Sequence, residues 1–475
     1  MTVSAATGAH ILVFPFPAQG HMIPLLDLTH HLVTNGLTIT ILVTPKNLHL
    51  LNPLLSANPT IKTLVLPFPA HPGIPSGIEN VKDLPADRFR TMICALGGLH
   101  QPLLSWFRSH PSPPVAIISD WFLGWTQYLA SELGIRRIDF LSSGLLSSSI
   151  LYSLWLDQFK RNDPNDENEV VSFPNLPGSQ NYPWWQLSPL YRAYVKGDPD
   201  SEFMRKIFLG NIASWGLISN SLIELERVYV QHRREVLLGH DRVWTIGPLL
   251  PKDDDQSGHN QRGGSSSVPA DQILSWLDTC EDRKVVYVCF GSQAVLTNNQ
   301  MEQLALGLEK SGVHFIWSVK EPTKEHVEGQ FGAVPPGFED RVAGRGLVIR
   351  GWAPQVSILR HRAVGSFLTH CGWNSVLEAI VAGVVMLAWP MGADQFCNAT
   401  LLEQLKVAIR VCEGAGAVPD PAYLARVIAE SVGDFSRQLV VELSKAARED
   451  TSEGGSSVRD LDSLVANLAA LELPH

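Results

Sequence analysis

Apolar runs recur along this chain with a steady rhythm: a short run rich in β-branched residues, a polar turn, then a stretch with helical spacing. ILVFPF (Ile11 to Phe16) is the first such run, followed by the loop PAQGH and a helical stretch from Met22 with Gly36 as its expected cap. LTITILV (Leu37 to Val43) reads as the next buried strand. TLVLP, VAIIS, RIDFL and WGLIS continue the series, with helical segments such as TQYLASELG between them. Strands that alternate with helices make a parallel sheet, and its strands are apolar throughout because helices cover both faces.

The rhythm breaks once. From about Pro251 to Ala270 the sequence KDDDQSGHNQRGGSSSVPA is polar, rich in Gly and Ser, and without a periodic apolar face, so a flexible linker is expected there. The alternation then restarts with VVYVCF, FIWSV, LVIR, VGSFLT, VVMLAW and VAIRV. The expected architecture is therefore α/β, with two doubly wound Rossmann-like domains facing a cleft: residues 1–250, a linker at 251–270, and residues 271–455. After Gly454 and Gly455, residues 456–475 place Val458, Leu461, Val465, Leu468 and Leu471 on one helical face. That end helix is expected to dock back on the first domain.

Length and composition narrow the function. At 475 residues the chain exceeds one ordinary core. Hydrophobic residues make up 45% and charged residues 18%, a balance that suits buried parallel sheets. A formal charge of -10 excludes a basic nucleic-acid groove. Six cysteines without a C-x-x-C pair read as free thiols in a reducing compartment. The first ten residues carry no basic and apolar signal pattern, and no apolar run is long enough to span a membrane. A cytoplasmic monomer that works on small molecules is expected.

In open α/β sheets, ligands bind beyond the carboxyl ends of the strands. In the second domain, VGSFLT is followed by HCGWNS, which turns through Gly372 into a helix starting near Trp373 or Asn374. The free N–H groups and dipole of such a helix end suit a pyrophosphate, with His370, Asn374 and Ser375 as further donors. Glu378, one turn on, faces ribose hydroxyls. Trp352 offers a flat surface to a base and Gln355 contacts the ribose. Asp394 and Gln395 follow VVMLAW and face sugar hydroxyls, and Ser292 follows VVYVCF as a phosphate contact. Taken singly, a tryptophan is core and a serine after a strand is a helix cap; it is their joint appearance at successive strand ends that points to a site.

In the first domain, His21 and Asp120 both follow strands of one sheet. An imidazole facing the cleft takes a proton from a hydroxyl, and a carboxylate on its other nitrogen fixes the tautomer. Trp121, Phe122, Phe140, Trp184 and Trp185 are candidates to line an apolar slot for a planar acceptor.

The 44 residues from Trp352 to Gln395, WAPQVSILRHRAVGSFLTHCGWNSVLEAIVAGVVMLAWPMGADQ, resemble the signature box of plant family 1 UDP-glycosyltransferases. PFPAQGHMIPLL near the start and the FGS after VVYVC extend the resemblance over the whole chain. It implies a GT-B-type fold and inverting, metal-independent transfer from a UDP-sugar to a small phenolic such as a flavonoid, with no cofactor. It places the catalytic dyad on His21 and Asp120, adds Ala353, Trp373 and Ser142 to the donor contacts, and through Gln395 favours UDP-glucose. UDP-rhamnose or UDP-xylose as donor, and a non-catalytic UDP-sugar-binding protein, are the alternatives. The G-x-G-x-x-G of dinucleotide oxidoreductases and the G-x-S-x-G of α/β-hydrolases are absent. The triple aspartate Asp253 to Asp255 lies in the linker and reads as a solvated charge run.

Overall fold

A computed structural model describes residues 8–85, 88–251, 266–322, 328–433 and 437–473. Most of the expected linker, with Asp253, Asp254 and Asp255, lies outside the described residues. The chain divides into two compact units, Met1–Leu250 with Glu449–His475 and Pro251–Arg448.

The first unit is built on β1 (His10–Phe14), β2 (Thr38–Val43), β3 (Lys62–Val65), β4 (Ala116–Asp120) and β5 (Arg136–Leu141). A small antiparallel hairpin, β6 (Val170–Phe173) and β7 (Gln180–Pro183), stands apart. β8 (Gly216–Ser219) and β9 (Val243–Thr245) complete the main sheet in the order β3-β2-β1-β4-β5-β8-β9, with every pairing parallel. Ile11, Ile39, Ile41, Ile118, Ile138 and Ile218 are buried in its core, the burial on which a fully covered parallel sheet depends.

The second unit repeats the plan. β10 (Val285–Cys289), β11 (His314–Val319), β12 (Gly346–Arg350), β13 (Val364–Thr369), β14 (Val385–Ala388) and β15 (Ala408–Arg410) run parallel in the order β12-β11-β10-β13-β14-β15. In each unit the chain starts in the middle of the sheet, builds outward on one side, then crosses to build on the other. The reversal lies between β1 and β4 in the first unit and between β10 and β13 in the second. Such a switch point leaves a crevice at the strand carboxyl ends, because the flanking connections leave in opposite directions.

Two boundaries differ from the sequence expectation. β1 stops at Phe14, since Pro15 has no N–H to continue the ladder, and α1 (Gln19–Thr34) starts three residues before Met22. His21 therefore sits in the first turn of a helix, not in a loop. After α2 (Leu145–Asp157), α3 (Ile223–His232), α4 (Trp373–Ala382) and α5 (Gln395–Gln404), the last helix, α6 (Ser456–Ala469), buries Leu461, Leu464 and Leu468 in the core of the first unit. Thr245 N–H donates to Asp460 Oδ2 at 2.7 Å, and Trp244 Nε1–H to Ser463 Oγ at 3.2 Å, which holds α6 against β9. Leu464 joins this face in place of Val458, which stays half-buried. Leu464 has no exposed surface, so Leu464→Ala should cost about 2–5 kcal/mol. Thermal unfolding would show a clearly lowered Tm for this variant and a much smaller change for Val458→Ala; equal losses would contradict the assigned face.

Candidate functional site

The first crevice holds a histidine and a carboxylate in contact. α1 presents His21 after β1, and Asp120 is the last residue of β4. His21 Nδ1 lies 2.8 Å from Asp120 Oδ2. The His21 side chain is 18% exposed while that of Asp120 is 0% exposed. The ring can thus meet a ligand, whereas the carboxylate can meet only protein. Asp120 Oδ1 accepts the Phe122 N–H at 2.9 Å and so caps the turn that follows β4. Since a carboxylate only accepts hydrogen bonds, the proton shared with Asp120 belongs to His21 Nδ1, and in the neutral ring Nε2 then keeps its lone pair.

Aromatic rings surround the imidazole. Phe122 lies 4.9 Å from the His21 ring and Phe16 lies 5.4 Å from it, with Phe89 packed on both phenylalanines. Trp121 stacks on Phe122 at 4.7 Å. Of the five aromatics expected at an acceptor slot, the structure brings Phe122 and Trp121 to this cluster. Phe140 is fully buried in the sheet core, because its position inside β5 points it under the helices. Trp184 packs on Tyr191 and Phe159 under the Arg161 guanidinium, while Trp185 beside it is half-buried and its backbone oxygen accepts from Arg192. Phe16 and Phe89 were missed by sequence reasoning. Phe16 was counted as strand, and nothing in the local sequence marks Phe89. Ser142, expected at the donor, here lies 2.9 Å from His21 Nδ1.

The second crevice gathers the signature-box residues. α4 (Trp373–Ala382) starts after Gly372 and presents its amino end beside the end of β13. Cys371, just before it, holds a left-handed φ of 63°, a conformation that costs about 1–3 kcal/mol in a non-glycine residue and recurs at binding turns. The His370 ring is wedged between two glycines: a Cβ at Gly291 or Gly372 would sit 2.7 or 2.5 Å from its Nε2. That contact explains glycine at both turns. Burial lowers the His370 pKa to about 4, so the ring is neutral at physiological pH. Its Nδ1 is buried with no hydrogen-bond partner.

Gln355 links two neighbours: its Nε2 donates to Ser375 Oγ at 3.0 Å and to Glu378 Oε2 at 2.7 Å. This ties the ribose candidates into one unit at the start of α4. Trp352 follows β12 and is half-buried, Ala353 and Trp373 are buried, Asn374 is half-buried, and Ser292 lies in the half-buried turn after β10. After β14, a turn with Ala393 at a φ of 54° leads into α5 (Gln395–Gln404), with Asp394 at its N-cap position. Gln395 Oε1 accepts the N–H groups of Met391 and Gly392 at 2.9 and 3.1 Å, and Asp394 Oδ2 accepts from Asn398 at 3.0 Å. The Gln395 oxygen thus braces its own turn, whereas both a donor and an acceptor are expected to reach a sugar.

The comparisons with known proteins agree with one another. The model of the family described as UDP-glucoronosyl and UDP-glucosyl transferase matches residues 246–420. UDP-glycosyltransferase 89B2 of Stevia rebaudiana is 62% identical over 97% of this chain and 98% of its own length. Flavonol 3-O-glucosyltransferase UGT89B1 of Arabidopsis thaliana is 57% identical over 98% of each. The crystal structure of Arabidopsis thaliana UGT89C1 complexed with UDP-L-rhamnose superimposes with a TM-score of 0.80 at 42% identity, covering 97% of this chain and 99% of that one. With paired Rossmann-like units of the GT-B type and a signature box gathered at the strand ends of the second, this chain belongs to the UDP-glucosyl transferase family and is a plant family 1 UDP-glycosyltransferase.

Proposed function

We propose that this enzyme transfers glucose from UDP-glucose to a hydroxyl of a flavonoid or related phenolic, with inversion at the anomeric carbon. The observation that carries the chemistry is the His21–Asp120 contact of 2.8 Å, with the ring reachable and the carboxylate not. His21 Nε2 takes the proton of the acceptor hydroxyl as its oxygen bonds to C1 of the sugar. The bond from C1 to the β-phosphate oxygen breaks on the opposite face, and UDP leaves with the electron pair. Asp120 balances the imidazolium. Trp121, Phe122, Phe16 and Phe89 form an apolar, aromatic surround that suits a planar phenolic.

On this reading the second unit holds the donor. Trp352 and Ala353 hold the uracil, Gln355 and Glu378 the ribose, and the amino end of α4 with Ser292, His370, Asn374 and Ser375 the diphosphate. Fixed donors and a helix dipole stabilise the leaving group without a metal ion. Trp373, Asp394 and Gln395 face the sugar. UDP-rhamnose is the second reading, favoured by the UDP-L-rhamnose complex of UGT89C1 and by the braced Gln395 oxygen. The flavonol named for UGT89B1 supports the acceptor class, and free cysteines support a cytoplasmic setting.

His21→Ala should lower kcat by about 10²–10⁴-fold, the usual contribution of a general base, with UDP affinity little changed. Asp120→Asn should lose rate as well, since an amide cannot balance an imidazolium. Steady-state kinetics showing near-normal turnover in either variant would remove that residue from the mechanism. His370→Ala should weaken UDP binding by roughly 1–3 kcal/mol, the cost of leaving a charged oxygen short of a donor. Because burial keeps His370 neutral, calorimetry should find the same loss at about pH 6 and about pH 8; a loss confined to the acid side would mean that its charge does the binding. In a competition among equal UDP-glucose, UDP-galactose, UDP-xylose and UDP-rhamnose, glucose should have the highest kcat/KM, and another winner would refute the donor assignment.

A further inference from the structure

Asn398 lies in the first turn of α5 and is 2% exposed, so no ligand can reach it. Its side-chain nitrogen Nδ2 donates to two oxygens, Cys371 O at 3.0 Å and Asp394 Oδ2 at 3.0 Å. A carbonyl and a carboxylate both only accept, so the NH2 end of the amide must face them, and its two hydrogens match the two acceptors. One buried side chain therefore joins the turn that leads into α4 to the turn that leads into α5. Those are the turns that hold Cys371 at a φ of 63° and Ala393 at a φ of 54°.

The two turns are held in different ways. Cys371 N–H donates to Thr369 Oγ1 at 3.2 Å, so side chains fix both its N–H and its carbonyl. That makes Cys371 O a firm anchor for the amide. Asp394 stands at the N-cap position of α5, where an aspartate ordinarily folds its carboxylate onto the free N–H groups of the first turn. Asp394 makes no such bond. Asn398 grips it twice instead, with its own N–H on Asp394 O at 3.0 Å and with Nδ2 on the carboxylate. Asp394 is half-buried where Asn398 is buried, so the carboxylate can meet a ligand and the amide can only aim it.

We infer that Asn398 is a positioning residue for the donor sugar: its amide, anchored on Cys371 O, holds the Asp394 carboxylate toward the sugar hydroxyls and keeps that turn in register with the start of α4. The inference rests on the reading of Asp394 as a sugar contact. Fixing one carboxylate oxygen fixes the plane of the group. An acceptor held in one place selects among hydroxyl positions more sharply than one that can swing to follow them.

The test compares Asn398→Ala, Asn398→Asp, Asp394→Ala and the double alanine variant of the full chain, with UDP-glucose as donor and quercetin as acceptor. Asn398→Ala should lower kcat/KM for UDP-glucose about 10- to 100-fold, the range of one hydrogen bond to a charged group. Asn398→Asp keeps the shape but turns an oxygen toward two acceptors, so it should lose a similar amount without leaving a cavity. The Kd of UDP, which carries no sugar, should rise by a smaller factor. If Asn398 acts through Asp394, the double variant should lose at least about fivefold less than the product of the two single losses. A loss equal to that product, or a UDP Kd that rises as much as kcat/KM falls, would overturn the inference. Near-normal kcat/KM in either Asn398 variant beside an impaired Asp394→Ala would overturn the role of Asn398 alone. Near-normal kcat/KM in Asp394→Ala would strike the sugar contact itself, and the inference with it.

Discussion

Asp120 has no surface in contact with water, and an anion in that position is stable only when its lone pairs are filled by donors. The chain supplies the Phe122 N–H on one oxygen and His21 with Ser142 on the other. Leaving a buried group short of a hydrogen-bond partner costs about 1–3 kcal/mol, and more when the group is charged. That penalty orients the imidazole before any substrate arrives. Phe16 and Phe122 pack on the imidazole beside a carboxylate that water does not reach, and a dry surround strengthens the interaction between that carboxylate and a forming imidazolium.

The two units solve a similar problem with similar means. Each places its functional residues where a parallel sheet reverses its order, and each uses a helix that starts at that reversal. In the first unit the helix start carries His21, the side chain proposed as the base. In the second, the start of α4 is suited to a diphosphate, with His370 held neutral by burial between Gly291 and Gly372. The left-handed φ values at Cys371 and Ala393 fall at the turns that lead into α4 and α5. Two of the left-handed non-glycine residues thus stand at turns where side chains must be aimed, and the packed sheets beneath hold them.

The strands of both sheets were legible because burial on both faces writes itself as continuous apolar runs, and the reader needs no knowledge of partners. His21 and Asp120 were legible from their place at strand ends, and the signature box from its spacing. Other features were not. Phe89 approaches Phe16 and Phe122 only through the fold, and Ser142 meets His21 and Asp120 because the sheet brings the ends of β1, β4 and β5 together. Gln395, expected to offer both ends of its amide to a sugar, turns its oxygen back on the N–H groups of Met391 and Gly392, four and three residues earlier, a closure set by the geometry of its own turn. Phe140 looked like a ligand contact from its position near a strand end, but strand alternation decides which face a ring takes.

On the proposed function, His21 carries its proton on Nδ1, bound to Asp120, and offers Nε2 as the base. Nitrogen NMR of the histidine-labelled enzyme reads this directly, since a protonated and an unprotonated ring nitrogen resonate far apart. With His21 identified by comparison with the His21→Ala variant, its neutral form should be protonated at Nδ1, with Nε2 unprotonated. A ring protonated at Nε2 instead would contradict it.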